Sequence, residues 1–147
     1  DSTHSCLTIA SGKAALRRQA ECWAVLGVLS VLGSEGEAAR DVIRRSYKKD
    51  AGSAICVRFV LGTAASGGWE QQVQRAAAEA TEHGDMVTLE TDDDNCGSKS
   101  FAWLSYATAH WPGAAWVGKA DQDTYIHLPS LEADLRSLGS RGGRGGG

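Results

Sequence analysis

The stretch Trp116 to Leu128, WVGKADQDTYIHL, decides how this chain is read. Trp116 and Val117 are bulky and apolar, which suits a short buried strand, and Asp121 and Asp123 fall just past its expected end. An open α/β sheet has its ligand crevice at the carboxyl ends of its strands, so two carboxylates there suit a hard divalent cation. Mg²⁺ and Mn²⁺ prefer oxygen ligands and are held by one or two carboxylates plus the phosphate oxygens of a substrate. A solvated turn after a strand carries the same letters, and the rest of the chain has to decide between the two.

With 147 residues, 42% of them hydrophobic, the chain is long enough for one core. A formal net charge of -3 gives no general pull toward nucleic acid. No apolar run reaches the roughly 20 residues of a membrane helix; the longest, Trp23 to Leu32, is interrupted by Gly27 and Ser30. Cys6, Cys22, Cys56 and Cys96 contain no CxxC pair, which argues against zinc. Cys56 lies in a predicted core strand and reads as a small buried hydrophobe rather than a disulfide partner.

Residues 1–23 read as a polar lead-in or stem, with a short helix predicted over Ala14–Cys22. Ala24 to Leu29, AVLGVL, is the continuous apolar run of a strand covered on both faces. Ser34-Glu35-Gly36-Glu37 then predicts a cap and an acidic first turn, with Ala39, Ile43 and Tyr47, and Val42 beside them, on the inner face of a helix. Arg40, Arg44 and Lys48 form a basic stripe on another face, as on many solvated helix surfaces. Ile55 to Leu61 is the second strand, and TAASGG turns the chain. Trp69, Val73, Ala76, Ala77 and Ala80 mark one face of a second helix that Gly84 ends. Asp85 to Leu89 predicts a third strand. Ser98 is a candidate N-cap, followed by Phe101, Leu104, Ala107 and Trp111 at helical spacing up to Pro112-Gly113. Pro129 opens a last helix with Leu128, Leu131, Leu135 and Leu138 inward and Gly139 at its end. Strand and helix alternate four times, which predicts a mostly parallel sheet with helices on both faces.

Read together, six segments resemble the beta-1,3-galactosyltransferase-like glycosyltransferases. They are Val25 to Ser30, Arg40 to Tyr47 (RDVIRRSY), Val57 to Gly62 (VRFVLG), Glu82 to Val87 (EHGDMV), Asn95 with Lys99, and Lys119 to Ile126 (KADQDTYI). The family's pattern is a strand, R-x-x-I-R-x-[ST]-[WY], V-R-F-x-x-x-G, Y-G-D-[IM], N-x-x-x-K and K-x-D-D-D, in this order and at about these spacings. The resemblance covers residues 24–138 and implies a Rossmann-like GT-A domain incomplete at its C-terminus, with residues 139–147 a Gly/Arg-rich tail. It also implies Mn²⁺-dependent transfer of a hexose, galactose or N-acetylglucosamine, from a UDP-sugar to a glycan or glycoprotein acceptor. Residence in the Golgi lumen or another secretory compartment is implied too, as a type II membrane protein whose anchor lies outside this chain.

Two substitutions depart from the pattern: Gln122 stands where the family has its middle aspartate, and His83 where it has tyrosine. The family's acceptor pocket, catalytic carboxylate and further metal ligand lie downstream of Asp-x-Asp, so a donor-binding half is expected here.

By this resemblance Asp123 holds the cation, and Asp121 either joins it or takes a ribose hydroxyl. Lys119, Arg40 and Arg44 are candidates to face the diphosphate, because guanidinium groups match phosphate oxygens in pairs. Arg40 and Arg44 read equally as solvated, and Lys119 as the partner of an aspartate. Asp85 is a candidate contact to the uridine, or a turn former. No residue is assigned as catalytic base.

Two other function classes compete. Asp121-Gln122-Asp123 after an apolar strand also resembles the start of a haloacid-dehalogenase-type phosphatase, which wants Thr or Val where Tyr125 stands and acidic residues far downstream. Arg141 to Gly147 resembles an RGG segment of RNA-binding proteins, but two arginines are few and no nucleic-acid partner is expected. A dinucleotide-binding Rossmann domain is disfavoured because Gly27, Gly33 and Gly36 do not form GxGxxG.

Overall fold

A computed structural model describes residues 22–50, 52, 54–64 and 69–141. Within them β1 (Ala24–Leu29), α1 (Ser34–Arg45), a 3₁₀ turn (Tyr47–Asp50), β2 (Ile55–Ala64) and α2 (Glu70–His83) are followed by β3 (Met86–Asp92), α3 (Cys96–His110), β4 (Trp116–Asp121) and α4 (Leu128–Arg141). The sheet is parallel throughout, in the order β3-β2-β1-β4. The expected α/β alternation is thus observed. The lead-in over residues 1–21 and the tail over residues 142–147 lie outside the described residues.

All six residues of β1 are buried, which explains their unbroken apolar run. Ala24, Leu26 and Val28 face one layer with Ile43 of α1, Ala76 of α2 and Leu128 of α4. Val25 and Leu29 face the other layer, built on Trp103, Tyr106 and Ala107 of α3 and on Trp111. The Trp103 indole lies against Gly27, where a Cβ would stand only 2.2 Å from a ring carbon, and its Nε1 donates to the Gly118 carbonyl at 2.9 Å. A glycine at position 27 is therefore what lets α3 approach the sheet.

Several local expectations are corrected. Gly33, at φ 96°, occupies the cap position of α1, and Ser34 is its first helical residue with no side-chain cap. Val42 is exposed, and Arg40 is buried in its place among the inward residues. On α2 Ala76 is buried while Ala77 is exposed. Asn95, not Ser98, caps α3: its side chain accepts from the Ser98 N–H at 3.0 Å.

The inner face of α3 is Lys99, Trp103, Tyr106 and Ala107, whereas Phe101 and Leu104 are exposed. The inward face is rotated from the expected one because Lys99 points in; a lysine faces inward when its ammonium has buried partners. Gly139 does not end α4, which continues to Arg141, and Leu138 is exposed. Finally, Cys56 forms a disulfide with Cys22, tying the start of β2 to the residue two places before β1.

Candidate functional site

The chain moves from β1 outward to β2 and β3, and then returns to place β4 on the other side of β1. Connections therefore diverge between β1 and β4, and this is where open α/β sheets leave a crevice past their carboxyl ends. Leu29 is in register with Asp121, so the loops after the two strands face each other across this gap.

Ser30, buried, donates from Oγ to Gln122 Oε1 at 2.8 Å, and accepts from Arg40 Nη1 at 2.9 Å. Gln122 thus turns inward, while Asp121 and Asp123 on either side of it are exposed. The turn is closed by the Thr124 N–H donating to the Asp121 carbonyl at 3.1 Å. Beyond it, Tyr125 packs its ring edge-on to the buried Tyr47.

Lys119, two residues before Asp121, is exposed on the same face of β4 by strand alternation and makes no ion pair among the described residues. A cleft of about 520 Å³ runs along the outer edge of β4 under α4, with Trp116, Ile126 and Leu131 as apolar lining and Lys119, Asp121 and Thr124 at its polar end.

Behind this rim lies a second polar knot that sequence reasoning did not assign. Lys99 Nζ donates to the Ser30 carbonyl at 2.6 Å and to Asp93 Oδ1 at 2.9 Å. Asp93 also accepts from the Gly62 N–H and the Leu32 N–H, both at 2.7 Å. One carboxylate so joins the loop after β1 to the backbone of β2. Asp93 hides in the run Asp92-Asp93-Asp94, whose composition reads as solvated; only the pairing of Asn95 with Lys99 hinted at an ordered structure here.

Arg40, Arg44 and Asp85 are brought together with one another, not with Asp121 and Asp123. Arg40 Nη2 and Nε meet Glu79 at 2.6 and 2.8 Å, and Arg44 Nη1 meets the same carboxylate at 2.7 Å. Arg44 also grips both oxygens of Asp85 at 2.9 Å, and Lys48 adds a third cation at 3.1 Å. The charged stripe of α1 is a buried network against α2 and the start of β3.

Burial alone would lift the Glu79 and Asp85 carboxyls, but hydrogen bonds and charge from Arg40 and Arg44 on one, and from Arg44 and Lys48 on the other, hold both below the usual range. Burial likewise opposes charge on Arg44, and its bonds to Asp85 and Glu79 outweigh that and raise its pKa.

Chemically, the rim offers two exposed carboxylates, one exposed ammonium and an apolar cleft. Among the described residues no cluster of three or more His, Cys, Asp or Glu side chains is poised to cage a metal. The pair Asp121 and Asp123 fits an oxygen-seeking cation that takes its other ligands from a substrate and water.

Residues 38–141 match the family model described as Galactosyltransferase. The chain belongs to the galactosyltransferase family. The galactosyltransferase match begins inside α1 and runs to the end of α4, so it takes in the Arg40, Asp93, Lys99 and Asp121 positions alike. Among relatives, beta-1,3-galactosyltransferase 4 of Homo sapiens is 29% identical over 124 residues, which are 80% of this chain and 33% of that protein. Beta-1,3-galactosyltransferase 9 of Homo sapiens is 26% identical over 112 residues, 74% of this chain and 30% of that protein. The chain spans about a third of the length of the curated relatives it matches. Membership in this family also stands against the phosphatase reading of Asp121.

Proposed function

We propose that this chain is the part of a metal-dependent glycosyltransferase that binds the nucleotide-sugar. In this reading the whole protein transfers a hexose, galactose or N-acetylglucosamine, from a UDP-sugar to a glycan or glycoprotein acceptor. The observation that carries it is the exposure of Asp121 and Asp123 on either side of the inward Gln122, at the gap between β1 and β4.

Asp123 and Asp121 hold Mn²⁺ through their carboxylate oxygens, with Asp121 alternatively receiving a ribose hydroxyl. When bound, the ion neutralises charge on the diphosphate and on the departing UDP. Lys119 adds a point charge on the same face for phosphate oxygens. Arg40 and Arg44 act from behind the rim, since their hydrogen bonds go to Glu79, Asp85, Ser30 and the Val31 carbonyl. Asp85, with both oxygens taken by Arg44, is better suited to holding α1 on the sheet than to touching uridine.

The Cys22–Cys56 disulfide is in keeping with an oxidising secretory lumen, as the Golgi reading requires. No helix among the described residues is long and apolar enough to cross a membrane, so the proposed type II anchor belongs to sequence outside them.

Equilibrium binding of UDP-galactose and UDP-N-acetylglucosamine, compared with GDP-mannose, tests the reading. The UDP-sugars are expected to bind with Mn²⁺ and to be released by EDTA. A folded chain that binds neither UDP-sugar with Mn²⁺ present overturns it.

A further inference from the structure

Asp121 and Asp123 make no side-chain hydrogen bond or ion pair among the described residues; Asp121 is the last residue of β4, in register with Leu29, and Asp123 lies in the two-residue turn that follows it. Something else has to fix where they point. The turn is tied down at two places: its own Thr124–Asp121 backbone bond, and the Gln122 side chain.

Gln122 reaches a partner 92 residues away in sequence, Ser30, whose hydroxyl is shared with Arg40. Arg40 in turn is held by two bonds to Glu79 and one to the Val31 carbonyl, with its side chain only 2% exposed. The relay therefore runs from α2 through α1 and the end of β1 to the turn after β4, and every link in it is 2.6 to 2.9 Å long.

We infer that Gln122 is a positioning residue for the Asp121 and Asp123 carboxylates, tying their turn through Ser30 to the Arg40–Glu79 pair. The inference rests on the reading of those two aspartates as cation ligands. Only the amide oxygen of Gln122 is used, so the bond orients the turn without adding charge to it. Groups that orient metal ligands from behind are worth about 10- to 100-fold in metal affinity when removed. This relay gives Arg40 a role toward the site that does not require it to touch a phosphate.

A double-mutant cycle on Mn²⁺ affinity tests it in the 147-residue chain, with free Mn²⁺ followed by electron paramagnetic resonance in the presence of UDP and thermal unfolding measured alongside. Gln122→Met keeps length and neutrality while removing the acceptor; Ser30→Ala removes its partner. Each is expected to weaken Mn²⁺ binding by about tenfold, and the double variant is expected to be no weaker than either single one, because both break the same link. Wild-type affinity in Gln122→Met, or losses that simply add, overturns the inference. Should Ser30→Ala fail to fold, the comparison of Gln122→Met with wild type decides alone. An unmodified chain with no Mn²⁺ affinity instead overturns the ligand reading of Asp121 and Asp123, and this inference with it.

Discussion

Arg44 and Asp85 meet through two parallel hydrogen bonds of 2.9 Å, Nε to Oδ2 and Nη2 to Oδ1, in a space where the two side chains are 11% and 5% exposed. Removing one partner of such a pair leaves a desolvated charge, at a cost of about 3 to 5 kcal/mol. Asp85→Ala is expected to lose that much in urea unfolding. The control is Asp41→Ala, which breaks the exposed Asp41–Arg45 pair and should cost less than about 1 kcal/mol. Similar losses in the two variants would contradict the buried network.

The same network sets a pH dependence. Asp85 and Glu79 have folded-state pKa values below their ordinary ones, so their contribution is present above the unfolded carboxylate range and is lost as pH falls through the folded values. Stability is expected to drop on acidification below about pH 4, the usual carboxylate range. The drop should be shallower in Asp85→Asn or Glu79→Gln. Melting temperatures from neutral to acidic pH, for the three proteins, measure this; a parent that gains stability on acidification would contradict it.

Gly27 carries the indole of Trp103 on its backbone. Gly27→Ala forces the ring, which is fully buried, out of its place and away from the Gly118 carbonyl. Overpacking of this kind costs about 1 to 3 kcal/mol. Denaturant midpoints, with Gly113→Ala as a control where a Cβ meets no atom, give the comparison.

The Cys22–Cys56 bridge closes a loop with a sequence separation of 34. Cys56→Ser is expected to cost about 2 to 4 kcal/mol, while Cys96→Ser, at an exposed free thiol, should cost almost nothing. Chemical unfolding under non-reducing conditions checks both.

The alternation of elements was legible because β-branched runs and helical spacing are local signals. The neighbour order β3-β2-β1-β4 was not, since it depends on pairings between distant segments. The Asp121 and Asp123 positions followed from their distance past the Trp116 run. The stripe of Arg40 and Arg44 was misplaced because its anionic partners come from 35 to 41 residues further along, Glu79 among alanines and Asp85 after a glycine, where composition gives no warning. The inward place of Lys99 was not legible for the same reason: its buried partners, the Ser30 carbonyl and Asp93, lie in segments whose letters give no sign of them. Two cysteines 34 residues apart carry no spacing signature either.

The central claim, that Asp121 and Asp123 together hold a cation for a UDP-linked ligand, is tested most directly by calorimetric titration of UDP into the chain with Mn²⁺ present, for the parent and for Asp121→Asn with Asp123→Asn. The parent is expected to bind. The double variant, folded to the same melting temperature because both side chains are exposed, is expected to bind at least about tenfold more weakly, a difference of about 1.4 kcal/mol. Equal UDP affinity in the two proteins, or affinity in the parent that EDTA leaves unchanged, would contradict it.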